Sequence, residues 1–154
     1  MNLISAENLA RELFAQFDLR KWNFRFDRAR RRFGSCDFST RTISLSQILV
    51  ELNPPTKVRD TILHEIAHAL VGPRHAHGAI WKSKIVELGG DPRARFRENE
   101  VEIPAGKFVA ICRNCGKEFP VFRRSGKKVA CRECCRRFNS GKFSAKFLLE
   151  FREN

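Results

Sequence analysis

His64-Glu65-Ile66-Ala67-His68, the five residues HEIAH, decide how the rest of this chain is read. In a helix spanning 54 to 71, residues four apart project from one face, so both imidazoles can hold one metal ion. Glu65 is then the general base, taking the proton from a zinc-bound water as that water attacks a polarised carbonyl. This is hydrolytic chemistry. Two histidines also occur on a helix without catalytic purpose, but all four histidines of the chain, His64, His68, His75 and His77, fall in this stretch. One shared site would produce that distribution.

The flanking residues predict the helix. Asn53 stands at an N-cap position with Pro54 and Pro55 entering the first turn, and Gly72-Pro73 stops the helix. Val58, Ile62, Ile66, Ala69 and Leu70 form the core-facing stripe, which places His64, Glu65 and His68 on the border between core and cleft. A second helix is expected from Gly78 to Leu88, burying Ile80, Trp81, Ile85 and Leu88 and ending at Gly89-Gly90.

Upstream, Leu9, Leu13 and Phe17 recur every fourth residue, predicting an amphipathic helix from an N-cap at Ser5 to about Phe17. Trp22, Phe24 and Phe26 then alternate with polar residues, as do Ile43 and Leu45. This period of two predicts short antiparallel strands at 22 to 27, 33 to 38 and 41 to 45, with a bend or bulge at Gly34 and a turn at Ser39-Thr40-Arg41. Cys36 reads as a buried thiol, and Arg28, Arg30, Arg31 and Arg32 as either a solvated hairpin end or a phosphate contact. A short helical turn through Ile48, Leu49 and Leu52 leads into the HEIAH helix. Asp91 to Gly106 is a polar connection with one short strand at 101 to 103, and the domain boundary falls there.

A catalytic zinc takes three protein ligands and leaves a fourth position for water. His75 and His77 are the candidates for the third. His77 is preferred because Gly78 follows it at the start of the next helix, and a loop from Gly72 to Ala76 is long enough to fold it back. His75 remains the alternative.

The last third has a different chemistry. Cys112-Arg113-Asn114-Cys115 and Cys131-Arg132-Glu133-Cys134 are two CxxC knuckles at the spacing of a closed, structural zinc site. Cys135 could replace Cys134. Strands at 108 to 111, 119 to 122 and 146 to 151 would make the segment a zinc ribbon, which needs its metal to fold. Arg123, Arg124, Lys127 and Lys128 lie between the knuckles, and Arg136 and Arg137 just after them. Interleaved with phenylalanines, these suit phosphate contact and base stacking. The alternative is a solvated hairpin tip with the phenylalanines in the ribbon core, which suits the phenylalanines better; for the arginines and lysines the nucleic-acid reading is preferred.

Composition agrees with a nucleic-acid partner. The chain has 154 residues and a net charge of +13, a field that favours a polyanion. From Pro104 to Asn154 there are 13 basic and 4 acidic residues, net +9, which leaves +4 for residues 1 to 103. Six cysteines without a secretory leader point to metal binding in a reducing compartment, and no apolar run is long enough to span a membrane. The expected location is therefore intracellular, in the cytoplasm or on the nucleoid, or in the nucleus of a eukaryote.

The order W-x-F-x-F, R-R-x-G-S-C, I-S-L-S, H-E-x-x-H and H-G-x-x-W resembles the SprT-like metallopeptidases, which include Spartan, over nearly the whole chain. The resemblance implies an α+β, zincin-like metallopeptidase domain over 1–103, with helices and a small antiparallel sheet, followed by a basic four-cysteine β zinc ribbon over 104–154. It also implies His64, His68 and His77 as zinc ligands and Glu65 as base. Two zinc ions would be bound, one catalytic and one structural. Relatives of the Spartan type cleave proteins crosslinked to DNA, which makes DNA, single-stranded or at single/double-strand junctions, and DNA-bound proteins the expected partners, with no membrane. The chain has no tyrosine, so oxyanion stabilisation falls to the zinc, aided by His75 or Arg74. The competing reading is a nucleic-acid-binding regulator whose HEIAH site is structural or idle.

Overall fold

Ala6, Ala10, Leu13 and Phe14 are buried along one face of the first helix, α1 (Leu3–Gln16). Asn2 rather than Ser5 caps it: Asn2 Oδ1 accepts the Ser5 N–H at 2.8 Å. Starting earlier lets Leu3 join the apolar face, so packing decides between two good capping residues. The computed structural model describes residues 1–96 and 100–154; residues 97–99, within the expected polar connection, lie outside the described residues. Two compact units are formed, Met1–Pro104 and Ala105–Asn154.

Strands β1 (Asn23–Asp27), β2 (Gly34–Asp37) and β3 (Thr42–Ser46) form one sheet in the order β1-β3-β2. β2 and β3 are antiparallel across a turn in which Asp37 Oδ1 accepts from the Ser39 backbone N–H and hydroxyl. β1 runs parallel to β3, with Phe24 beside Ile43 and Phe26 beside Leu45. This corrects the all-antiparallel expectation, because alternation fixes which face a residue takes and not the direction of its neighbour. Asp27 fastens the crossing from β1 to β2. Its carboxylate accepts from the Ala29 N–H at 2.8 Å, Arg32 Nη2 at 2.8 Å and Ser44 Oγ at 2.7 Å. Burial raises the Asp27 pKa, but these bonds and the Arg32 charge outweigh it and hold the carboxyl below its ordinary value.

Ser46 caps the short α2 (Gln47–Leu52) by accepting the Leu49 N–H. The HEIAH helix follows as α3 (Pro55–Val71), entered at Pro54 with no side-chain cap. Asn53 is buried and differently engaged. Its Nδ2 donates to the Leu49 and Glu102 carbonyls, and its Oδ1 accepts the Glu102 N–H, all at 2.8 Å. One side chain thus satisfies both backbone groups of Glu102, and no strand forms at 101–103.

Val58, Ile62 and Ile66 of α3 are fully buried, while Leu70 is 41% exposed. In α4 (Ala79–Glu87) the buried face is set by Trp81 and Ile85, four residues apart. Ile80, expected inside, is 54% exposed because it lies a quarter-turn away from that face.

The second unit pairs β4 (Phe108–Cys112) with β5 (Glu118–Val121) and β6 (Leu149–Glu153), all antiparallel, in the order β5-β4-β6. Residues 146 and 147, expected to open the last strand, belong instead to a 3-10 turn (Ala145–Phe147) with Phe147 buried. A helix, α5 (Arg132–Phe138), grows from the second knuckle, where the sequence reading expects no helix. The buried cluster there consists of Cys112, Cys131, Cys134, Cys135 and Phe147. Among the described residues no helix is long and apolar enough to cross a membrane.

Candidate active site

His64 and His68 share one face of α3, as their spacing requires, and the loop after α3 delivers the third imidazole. Gly72 ends the helix at φ 86°. A turn follows in which the Gly78 N–H donates to the His75 carbonyl at 2.8 Å and Ala76 takes φ 38°. This turn swings His77 back over α3. The Nε2 atoms of His64, His68 and His77 then lie 2.9–3.3 Å apart. Tetrahedral coordination with metal–nitrogen bonds of about 2.0–2.1 Å sets ligand nitrogens about 3.4 Å apart, close to what is found. His75 remains on the loop and outside this cluster.

Electrostatics favours the same use. Burial lowers the His64 pKa to about 3, with the His68 and His77 charges adding to the effect. Burial and His77 lower His68 to about 4, and burial and Arg95 lower His77. All three rings are therefore neutral and present lone pairs, the state a metal ligand needs. Three lone pairs facing one point repel each other, and a cation between them reverses the sign.

Trp81 forms the floor of this cluster. It is fully buried, and its ring centroid lies 4.6 Å from His64, 5.3 Å from His68 in a stacked arrangement, and 4.7 Å from His77. Its Nε1–H has no hydrogen-bond partner among the described residues. Sequence periodicity identifies Trp81 as core but not as the wall against which all three imidazoles rest.

Glu65 is 7% exposed, and burial lifts its pKa to about 8 with Arg32 pulling the other way. Such a carboxyl is poised to exchange a proton near neutrality. Gly34 of β2 lies directly against it. Nearby on β2, Cys36 is half-buried, and burial together with the Glu65 and Asp37 charges pushes its thiol up to about 12.

In the second unit the sulfurs of Cys112, Cys115, Cys131 and Cys134 all lie within 4.8 Å of one another. The Cys112–Cys134 and Cys115–Cys131 pairs are 3.7 and 3.8 Å apart. Those separations match sulfurs about 2.3 Å from a shared tetrahedral ion and are far too long for disulfides. Asn114 Nδ2 donates to Cys134 Sγ at 3.4 Å. Cys135 is buried beside the cluster but is not one of the four.

The SprT-like family model matches residues 5–102, about two thirds of the sequence and the whole of the histidine site. The chain belongs to the SprT-like family. In general terms this makes it a metallopeptidase of the zinc type, with its histidine and cysteine groups as the candidate metal ligands. Among solved structures it is similar to the metallopeptidase zymogen jannalysin of Methanocaldococcus jannaschii, at 20% identity and a TM-score of 0.48 over 62% of this chain and 85% of that one. No curated protein sequence matches it significantly.

The six basic residues expected to contact nucleic acid occupy two places in the second unit of this SprT-like chain. Arg123, Arg124, Lys127 and Lys128 are exposed on the loop between β5 and Cys131, and Arg136 and Arg137 are exposed on α5. None of the six forms an ion pair among the described residues. Glu133, Glu150 and Glu153 are instead paired with Lys117, Arg113 and Lys107. Arg124 lies over the Phe108 ring and Arg137 over Phe138.

Proposed function

We propose that this SprT-like protein hydrolyses peptide bonds in proteins bound to nucleic acid, DNA–protein crosslinks among them. Zinc would be held by His64, His68 and His77, with Glu65 as general base. The observation that carries the reading is the convergence of three neutral Nε2 atoms, two of them on the helix that also carries the buried Glu65 next to His64 in the chain. Zinc held there supplies a Lewis acid that polarises a carbonyl and makes water acidic. The positive charge would also pull the Glu65 pKa back down, leaving a carboxylate that takes a proton from the attacking water and passes it to the leaving amine. An idle site has no use for a carboxyl buried in this way, since burying it costs stability.

Peptide is the substrate class that suits the surroundings. β2 sits at the edge of its sheet, and an open edge next to the base can pair with an extended chain. The nucleic-acid part of the reading rests on charge segregation in the second unit. Its acidic residues are largely engaged by other cations, while the six loop and α5 cations have no ion-pair partner among the described residues. Phe138 is 58% exposed next to Arg137 and lines a cavity of about 380 Å³ with Asn114, Asn139, Ser144, Lys146 and Phe147. An exposed ring with a neighbouring guanidinium suits stacking on an unpaired base. A second zinc at the four cysteines would be structural, because a closed tetrahedral set leaves no open position.

The test is cleavage of a DNA-bound protein with and without single-stranded DNA, by wild type and Glu65→Gln. The variant should retain both zinc ions and lose cleavage by about 10²–10⁴-fold; an active variant removes Glu65 from the chemistry. Affinity for single-stranded DNA should fall steeply with salt. Replacing Arg123, Arg124, Lys127 or Lys128 by Ala should flatten that slope by about 0.7 for every phosphate no longer neutralised. A flat salt dependence would defeat the nucleic-acid half and leave the peptidase half standing.

A further inference from the structure

The sequence marks Gly34 as a bend or bulge, yet it opens a regular strand paired in register, with Gly34 opposite Leu45 and Cys36 opposite Ile43. Its φ is not positive, unlike those of Gly72 and Gly89 at 86° and 76°, which have open space around them. Gly34 is therefore not needed for conformational freedom. It is needed for room: a Cβ at this position would stand 2.7 Å from Glu65 Oε1, 2.8 Å from Glu65 Cγ and 2.9 Å from Thr61 Cγ2.

Thr61 and Glu65 are one turn apart on α3, so residue 34 nests in the gap between them. We infer that Gly34 is a positioning residue for Glu65, its missing side chain fixing how far the strand closes on α3 and where the carboxyl is held. This rests on the reading of Glu65 as the base.

The neighbours decide what would yield to a larger residue. The strand cannot retreat easily, because Leu45 and Ile43 opposite it are fully buried and the Phe33 carbonyl accepts the Ser46 N–H at 2.7 Å. Thr61 is held by its hydroxyl, which donates to the Lys57 carbonyl at 2.8 Å. Both Glu65 atoms in the way belong to one flexible side chain, which can turn about its Cα–Cβ bond, so the Glu65 side chain is the group that gives and its carboxyl moves with it. A displacement of about 1 Å in a reacting group can cost roughly 100-fold in rate. Gly34→Ala therefore moves the base and leaves the metal ligands in place.

The experiment uses the full chain loaded with zinc. Gly34→Ala should bind two zinc ions per chain, keep KM for a peptide substrate within about threefold of wild type and lower kcat about 100-fold. Adding Glu65→Asp, which shortens the side chain by one methylene, should restore part of that kcat even though Glu65→Asp alone is impaired. The drop in melting temperature caused by Gly34→Ala should be smaller in a Glu65→Ala background, where the two Glu65 atoms that clash are gone and only the Thr61 methyl contact remains. This stability cycle decides the matter even if the single variant folds poorly. Wild-type kcat in Gly34→Ala, additive losses in the double variant, or equal destabilisation in both backgrounds would each overturn the inference. If Glu65→Gln is itself fully active, the base reading fails instead, and the stability cycle still reports whether Gly34 sets the position of Glu65.

Discussion

Two of the three histidines stand on a helix that a large apolar core holds in place, whereas three of the four clustered cysteines are themselves most of the buried core of their unit. Val58, Ile62 and Ile66 anchor α3 from its opposite face, and Trp81 and Ile85 close α4 onto it. In the second unit, Cys112, Cys131 and Cys134 are buried with Cys135 and Phe147, and only the partly buried Phe119, Ala130 and Leu149 pack against them. The first arrangement is a fold that carries a site, and the second is a site that carries a fold. Removing the ion should cost the first unit chemistry and the second unit structure.

The largest effect expected from that contrast is on the four-cysteine unit. Chelation, or Cys131→Ala, should collapse the dispersed amide NMR signals of residues 105–154 while those of residues 1–96 persist. Structural zinc contributes about 10–16 kcal/mol in comparable small modules, more than the stability of most domains. A metal-free second unit that kept its dispersed signals would break the comparison.

Trp81 tests the other half. Trp81→Ala should destabilise the first unit by roughly 3–5 kcal/mol in thermal or denaturant melts, the range for emptying a buried aromatic position. Trp81→Leu, which keeps much of the volume but removes the aromatic floor, should weaken metal binding at the histidines by about 10–100-fold. Competition with a coloured chelator would show this, with the four-cysteine site of the same chain retaining its ion. Equal weakening at both sites would mean that the two metal centres are not independent.

The smallest effect is electrostatic and depends on pH. Because the Asp27 carboxyl is held below its ordinary pKa, its contribution to stability is complete above the unfolded value of about 3.9 and is lost as pH falls through the lower folded value. Asp27→Asn should therefore cost the first unit about 1–3 kcal/mol at neutral pH. The difference from wild type should fade below about pH 4 in urea melts. A cost that does not change with pH would show that hydrogen-bond geometry, and not charge, fastens the crossing from β1 to β2.

Much of the site is legible in the sequence because metal chemistry imposes spacing. Four residues on a helix bring His64 and His68 together, and two CxxC pairs bring four sulfurs together, whatever surrounds them. The fold around them is legible where burial is periodic, as in α1 and α3. It is not legible where a polar side chain has a distant partner: Asn53 looks like a cap but binds Glu102, forty-nine residues away. Strand direction is hidden for a similar reason, since the parallel pairing of β1 with β3 depends on the route of residues 28–33 and not on their alternation. Ile80 shows the limit of reading an apolar residue as buried. Gly34 shows the limit of reading a strand glycine as a bend or bulge, because what a Cβ there would meet lies on α3 and not in its own strand.

Trp81 also gives the histidine site an optical voice. The chain has two tryptophans, Trp22 and Trp81, both in the first unit, and of the two it is Trp81 that touches the three candidate ligands. A cobalt or copper ion seated among those rings would lie almost against the indole and darken its emission at contact range. The four-cysteine unit contains no tryptophan, so it adds no emission of its own. The fraction of emission quenched would then count occupied histidine sites directly, and a stopped-flow trace of it would time the arrival and departure of the metal.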